Sequence, residues 1–233
     1  RTGRGSRQTH CVQLLPIRPT SSVVPPQQQM SETSEFSRIT GLDPGAAELW
    51  LVQLASVEVF STAGERVRLA QRFRERVTVT GFLRHFGCLF CHQMVADLIR
   101  VAPRLTARGA RVLFVGNGSV DQARRFFEDK GLPRPGPEVL TDPLRDAYRA
   151  ADLTRGYGAT FFSAASHRAY AEARRQGHRI SGLFGDLTQL GGVLVTSPPL
   201  GLEYVHRSRF AGDHPDLEAV TRLVESLGGR AGA

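Results

Sequence analysis

Val77-Thr78-Val79-Thr80-Gly81-Phe82-Leu83 runs straight into Arg84-His85-Phe86-Gly87-Cys88-Leu89-Phe90-Cys91, and the junction between the two stretches decides the fold. The first stretch is β-branched and aromatic, the composition of a strand. From Leu89 the pattern changes. Cys91, Met94, Val95, Leu98, Ala102 and Leu105 recur at helical spacing as far as Arg108, and Gly109 stops the helix. A buried strand thus turns into a helix, with two cysteines at the turn.

Further elements extend from this junction in both directions. Upstream, Asp43-Pro44 predicts a capped helix carrying Leu49, Trp50, Val52, Leu54 and Val57. Val57–Phe60 and Arg66–Leu69, joined through Thr62-Ala63-Gly64-Glu65, predict a hairpin. Downstream, Val112-Leu113-Phe114-Val115 makes Arg111–Gly116 a second buried strand. An amphipathic helix over Asp121–Lys130, a short strand at Glu138–Thr141 and a helix over Pro143–Ala151 follow. Residues 154–192 are less regular and read as an insertion, with a basic helix at Ala164–Gln176 and the glycine-bearing loop Gly182-Leu183-Phe184-Gly185-Asp186. Gly192–Thr196 and Leu202–Arg207 form a second hairpin, and Pro215–Leu227 a closing helix. Alternating strands and helices ending in an antiparallel hairpin imply an α/β fold: a thioredoxin-like three-layer α/β/α domain with a central mixed β-sheet.

That domain spans residues 41–228 of 233. Residues 1–40 are rich in Arg, Ser, Thr, Pro and Gln and are expected to be a disordered basic tail, and residues 229–233 a flexible C-terminus. Met30 offers a natural-looking start, so residues 1–29 are expected to be a non-native extension, a basic tail or a poor transit peptide. Cys11–Ile17 is broken by Gln13 and Pro16 and supplies no apolar signal-peptide segment.

The net charge of +8 invites a nucleic-acid reading, but Arg1, Arg4, Arg7 and Arg18 account for four of those charges. Lys130 is the sole lysine among 30 basic residues, a coding bias rather than a phosphate-binding device. With no recognition motif or interleaved surface aromatics, the expectation is no nucleic acid and no membrane partner.

The chemistry lies in Cys88 and Cys91. Their spacing puts both thiols on one helical face, within reach of a disulfide. Cys88 stands where unpaired N–H groups and the positive end of the helix favour a thiolate. Arg84 and His85 add positive charge nearby. Cys88 is therefore the expected nucleophile and Cys91 the resolving thiol, a pair suited to a reducing, cytoplasmic compartment. Three rival readings are inert buried cysteines, a zinc site needing two more ligands, and haem attachment through Cys88-Leu89-Phe90-Cys91-His92. Placement at a strand-to-helix turn favours the dithiol, with no metal and no cofactor.

The segment Phe82–Cys91, together with Asp142-Pro143, Tyr148, Gln189–Val195 and His206–His214, resembles the peroxiredoxin-like proteins of the alkyl hydroperoxide reductase/thiol-specific antioxidant (AhpC/TSA) superfamily. The resemblance covers about Leu49 to Leu227. It implies a thioredoxin fold, a peroxide or related oxidised substrate, and an external thiol reductant such as a thioredoxin or glutathione system. Relatives of this kind include redox regulators and a prostamide/prostaglandin F synthase. The chain departs from the pattern at His85, where typical peroxiredoxins carry Thr or Ser. It departs from thioredoxins at Gly87, Leu89 and Phe90, where they carry Trp, Gly and Pro.

Among other residues, Arg209 and His206 are read either as helpers of substrate or thiolate or, for Arg209, as a partner of Asp213. The basic 155–179 segment reads as a solvated face or a docking site for an acidic protein, and Gly116-Asn117-Gly118 only superficially as a phosphate-cradling loop. The leading reading is a peroxiredoxin-like thiol oxidoreductase. A thioredoxin-like disulfide reductase and a non-enzymatic redox-sensing module are the alternatives.

Overall fold

The structure is a computed structural model that describes residues 37, 40, 42–132, 136–156, 164–182 and 184–228. Its elements, in chain order, are α1 (Pro44–Ser56), β1 (Glu58–Ser61), β2 (Arg66–Arg68), α2 (Ala70–Phe73), β3 (Thr78–Phe82), α3 (Leu89–Thr106), β4 (Arg111–Gly116), α4 (Val120–Asp129), β5 (Glu138–Thr141), α5 (Asp146–Ala150), α6 (Ala164–Arg175), β6 (Gly192–Ser197), β7 (Gly201–Arg207) and α7 (Leu217–Gly228). The expected tail and C-terminus lie almost wholly outside the described residues.

The strands form one seven-stranded sheet in the order β2-β1-β5-β4-β3-β6-β7. β3, β4 and β5 are parallel, while β1 pairs antiparallel with β5 and β6 with β3. Side chains alternate across the sheet, as the two-residue strand period requires. Val79, Val112, Phe114, Val193 and Val195 enter one buried cluster with α3, α4 and α7. Phe82, Leu113, Val115 and Leu194 enter another with α1, α2 and α5. The sheet is therefore a buried layer between two helical ones. Its mixed, central character and thioredoxin-like layering agree with the expected class.

Local chemistry explains the element ends. The Asp43 carboxylate accepts from Ala46 N at 3.0 Å and caps α1, whose first residue is Pro44. α4 begins one residue earlier than the expected Asp121, because Ser119 and Gln122 close a reciprocal capping box. The helix expected from Pro143 begins only at Asp146. Arg145 adopts a left-handed conformation, and the Asp142 carboxylate instead accepts from Ala147 N at 2.7 Å. The turn of helix α2 was not anticipated.

Candidate functional site

The site is built where β3 ends. Leu83 N donates to Val115 O at 2.8 Å, carrying the strand's pairing one residue further. The buried Tyr148 hydroxyl lies 2.6 Å from Leu83 O and 2.8 Å from Val115 O, bracing the ends of β3 and β4. Beyond this brace the chain leaves the sheet, and Arg84, His85 and Phe86 are all buried. Cys88 N donates to His85 O at 3.2 Å, and Cys88 O accepts from His92 N at 3.0 Å, so Cys88 is the N-cap of α3.

Both cysteines are buried and unbridged. Arg84 touches each of them. Its Nη1 donates to Cys88 Sγ at 3.1 Å, and its backbone N–H to Cys91 Sγ at 3.1 Å. A hydrogen bond from Cys91 holds the Cys88 thiol well below its ordinary range; burial opposes this, and a hydrogen bond from His85 and the Arg84 charge add to it. Burial pushes the Cys91 thiol well up, and so does the hydrogen bond that it gives to Cys88. The two sulfurs are thus shifted in opposite directions, Cys88 toward the thiolate and Cys91 toward the protonated thiol.

Arg84 is anchored by carbonyls far along the chain. Its Nη2 donates to Leu187 O at 2.8 Å and its Nε to Gln189 O at 3.1 Å. The Gln189 side chain in turn donates to the carbonyls of Leu153 and Leu190 at 3.0 Å each. Residues 180–182 pass directly over the cysteine loop: Ser181 N donates to Gly87 O at 3.1 Å, and a Cβ at position 87 would lie 2.0 Å from Gly182 O. Position 87 therefore admits only glycine, which accounts for the departure from the bulky residue of thioredoxins.

A cavity of about 310 Å³ opens beside Cys88. Arg84, His85, Cys88, Leu89 and Phe90 form one wall, and Ser166, His167 and Tyr170 of α6 with Ile180 and Leu187 form the other. Tyr170 is 42% exposed and Ile180 55%. Both line this cavity. The expected solvated or protein-docking face of the 155–179 segment thus supplies part of the cavity wall, a role that its charge pattern did not suggest.

Arg209 is held by Asp213. Its guanidinium and backbone N–H both bind Asp213, at 3.0 and 2.9 Å, its side chain is 80% exposed, and it lines no part of the cavity at Cys88. His206 likewise faces Asp213, with Nε2 3.2 Å from its carbonyl oxygen. His92 lies against Ser181 Oγ at 3.0 Å and edge-on to Phe126; burial first, then the Lys130 charge, lowers its pKa to about 4, so it is neutral at physiological pH. Among the described residues, no three His, Cys, Asp or Glu side chains gather as a metal site would require, and no helix is long and apolar enough to cross a membrane.

Residues 97–209 match the family model described as AhpC/TSA antioxidant enzyme. A chloroplastic thioredoxin-like protein of Arabidopsis thaliana is 30% identical over 80% of this chain and 78% of its own. Peroxiredoxin-like 2C of Mus musculus is 30% identical over 73% of this chain and 78% of its own. Peroxiredoxin Q of Xanthomonas campestris shares the fold with a TM-score of 0.53 at 16% identity, covering 76% of this chain and 94% of that one.

Proposed function

The chain belongs to the peroxiredoxin-like AhpC/TSA antioxidant-enzyme family, and on that premise we propose that it reduces peroxides through Cys88, with Cys91 as the resolving thiol. The observation that carries this reading is the 3.1 Å contact of Arg84 Nη1 with a Cys88 sulfur that also borders the cavity. A fixed cation both stabilises the thiolate and faces the place where negative charge develops on a departing oxygen.

The steps balance as follows. Cys88 thiolate attacks the terminal oxygen of ROOH; the O–O bond breaks, Cys88 becomes a sulfenic acid, and RO⁻ takes a proton and leaves as ROH. Cys91, which still carries its proton, then attacks the sulfenic sulfur. Water departs and a Cys88–Cys91 disulfide remains. An external thiol reductant, one dithiol of the thioredoxin kind or two glutathione molecules, reduces it by exchange and is itself left as a disulfide. None of these steps calls on a metal or nucleotide. A reducing compartment such as the cytoplasm suits a dithiol that must return to this state.

Two features of the site support a small organic hydroperoxide as substrate. Leu89, Phe90, Tyr170, Ile180 and Leu187 give the cavity an apolar lining, which an alkyl or aryl group fills better than hydrogen peroxide does. Cys88 is only 4% exposed and borders the cavity, so a molecule small enough to enter the cavity reaches its sulfur. Stopped-flow reaction of the reduced chain with hydrogen peroxide, cumene hydroperoxide and a model disulfide tests the assignment. Fast consumption of cumene hydroperoxide, lost in Cys88→Ser, is the expected result. Turnover with the disulfide alone points to a reductase instead, and indifference to all three to a redox-sensing module.

A further inference from the structure

Gly116-Asn117-Gly118, the stretch that only superficially resembles a phosphate cradle, has a part in the thiol site. Asn117 is buried at the end of β4. Its Nδ2 donates to Arg84 O at 2.5 Å and reaches Asp186 O at 3.4 Å, while its Oδ1 accepts from Asp186 N at 3.1 Å. The fit is tight, for a Cβ on Gly185 would lie 1.9 Å from Asn117 Oδ1.

These contacts join two pieces of chain that meet again at the sulfur. One is the backbone of Arg84, whose guanidinium donates to Cys88 Sγ. The other is the turn from Asp186 to Gln189, closed by Gln189 N donating to Asp186 O at 3.2 Å and by Thr188 N donating to Asp186 Oδ1 at 2.9 Å. That turn supplies the Leu187 and Gln189 carbonyls that hold the same guanidinium. Asn117 therefore fixes Arg84 at both ends, by its own carbonyl and through the turn that grips its side chain.

We propose that Asn117 is a positioning residue for the thiolate: it sets how firmly Arg84 holds Cys88, and thereby the acidity of Cys88, without touching the sulfur. The inference rests on the reading of Cys88 as the reactive thiolate. Asn117 is uncharged, so its removal adds no charge to the site, and its main influence on the thiol's titration runs through Arg84.

The test is the pH dependence of Cys88 alkylation by iodoacetamide in the reduced full chain, followed by mass spectrometry of the Cys88 peptide. Asn117→Ala, with Asn117→Ser as a second, less disruptive variant, is compared in the natural background and in Arg84→Met, and thermal melts confirm that each variant folds. In the natural background the midpoint rises by about one pH unit, which is about tenfold less thiolate below it. In Arg84→Met the same substitution moves the midpoint by less than about a third of that shift. Equal shifts in the two backgrounds overturn the proposal, as does an unchanged midpoint in either folded Asn117 variant. An ordinary thiol midpoint in the unsubstituted chain instead overturns the thiolate reading on which the proposal rests.

Discussion

Replacing Arg84 with Met probes the site at its most connected side chain. Met keeps much of the buried stem and removes the Nη1 donor 3.1 Å from Cys88 Sγ, along with the charge. A hydrogen bond to a charged group contributes roughly 1.5–3 kcal/mol, and one pKa unit corresponds to about 1.36 kcal/mol, so the Cys88 titration should rise by about one to two units. Well below the new midpoint the thiolate fraction then falls about ten- to a hundredfold. The more basic thiolate is also the better nucleophile, with a Brønsted coefficient of about 0.4–0.5, which returns about half of that loss on a logarithmic scale. The net expectation for attack on a model disulfide is a rate about three- to tenfold slower at low pH and faster above the midpoint. The two pH–rate profiles should therefore cross. The assay is stopped-flow thiol reactivity from pH 4 to 10, and Arg84→Lys, which keeps a cation but cannot reach both Leu187 O and Gln189 O in the same geometry, should fall between. Superimposable profiles for the natural chain and Arg84→Met would refute the assigned electrostatics.

Three further outcomes follow from the same structure. Ile180→Glu, at the apolar mouth of the cavity, should slow reaction with cumene hydroperoxide about tenfold while leaving hydrogen peroxide within about twofold, and equal losses for both would count against an apolar substrate pocket. Tyr148→Phe leaves the Leu83 and Val115 carbonyls without the buried hydroxyl, a cost of about 1–3 kcal/mol that thermal melting should register as a lower Tm; an unchanged Tm would mean that the brace contributes nothing. The pH dependence of stability has opposite signs for the two thiols. The Cys88 titration is depressed in the fold, so its contribution is complete above the unfolded thiol value near 8.5 and is lost as pH falls toward the folded value. The Cys91 titration is raised, so above about 8.5 the unfolded chain sheds a proton that the folded chain retains, and stability declines. Urea unfolding of the reduced protein should show the alkaline decline reduced in Cys91→Ser and the lower-pH rise absent in Cys88→Ser.

Much of the fold was legible because its signals are local. A β-branched run that gives way to helical spacing at Cys88, an Asp-Pro helix start and two hairpin patterns depend on neighbours in sequence, and the central sheet follows from them. The placement of Cys88 and Cys91 together at a strand-to-helix turn was legible for the same reason. Arg84 and His85 were also reachable, because they lie within four residues of Cys88. The rest of the site was not. The carbonyls that orient Arg84 come from positions 103 and 105 residues further on, and a backbone carbonyl has no residue-type signature. α6 reads as a charged helix, yet Ser166, His167 and Tyr170 line the cavity, an outcome fixed by packing rather than periodicity. The pairing of Arg209 with Asp213 was legible as one of two readings, because the two lie four residues apart, and the structure has that pair. Pro143 suggested a helix start, but the left-handed Arg145 delays the helix by a turn.

The central claim is that peroxide oxidises Cys88 and that Cys91 resolves the product, and mass spectrometry after one equivalent of cumene hydroperoxide tests it most directly. In Cys91→Ser, dimedone should label Cys88 alone; in the natural chain, no label should remain, and peptide mapping should find a Cys88–Cys91 disulfide. A label on Cys91 in Cys88→Ser equal to that on Cys88 in Cys91→Ser, or a disulfide through Cys11 in the natural chain, would contradict the account.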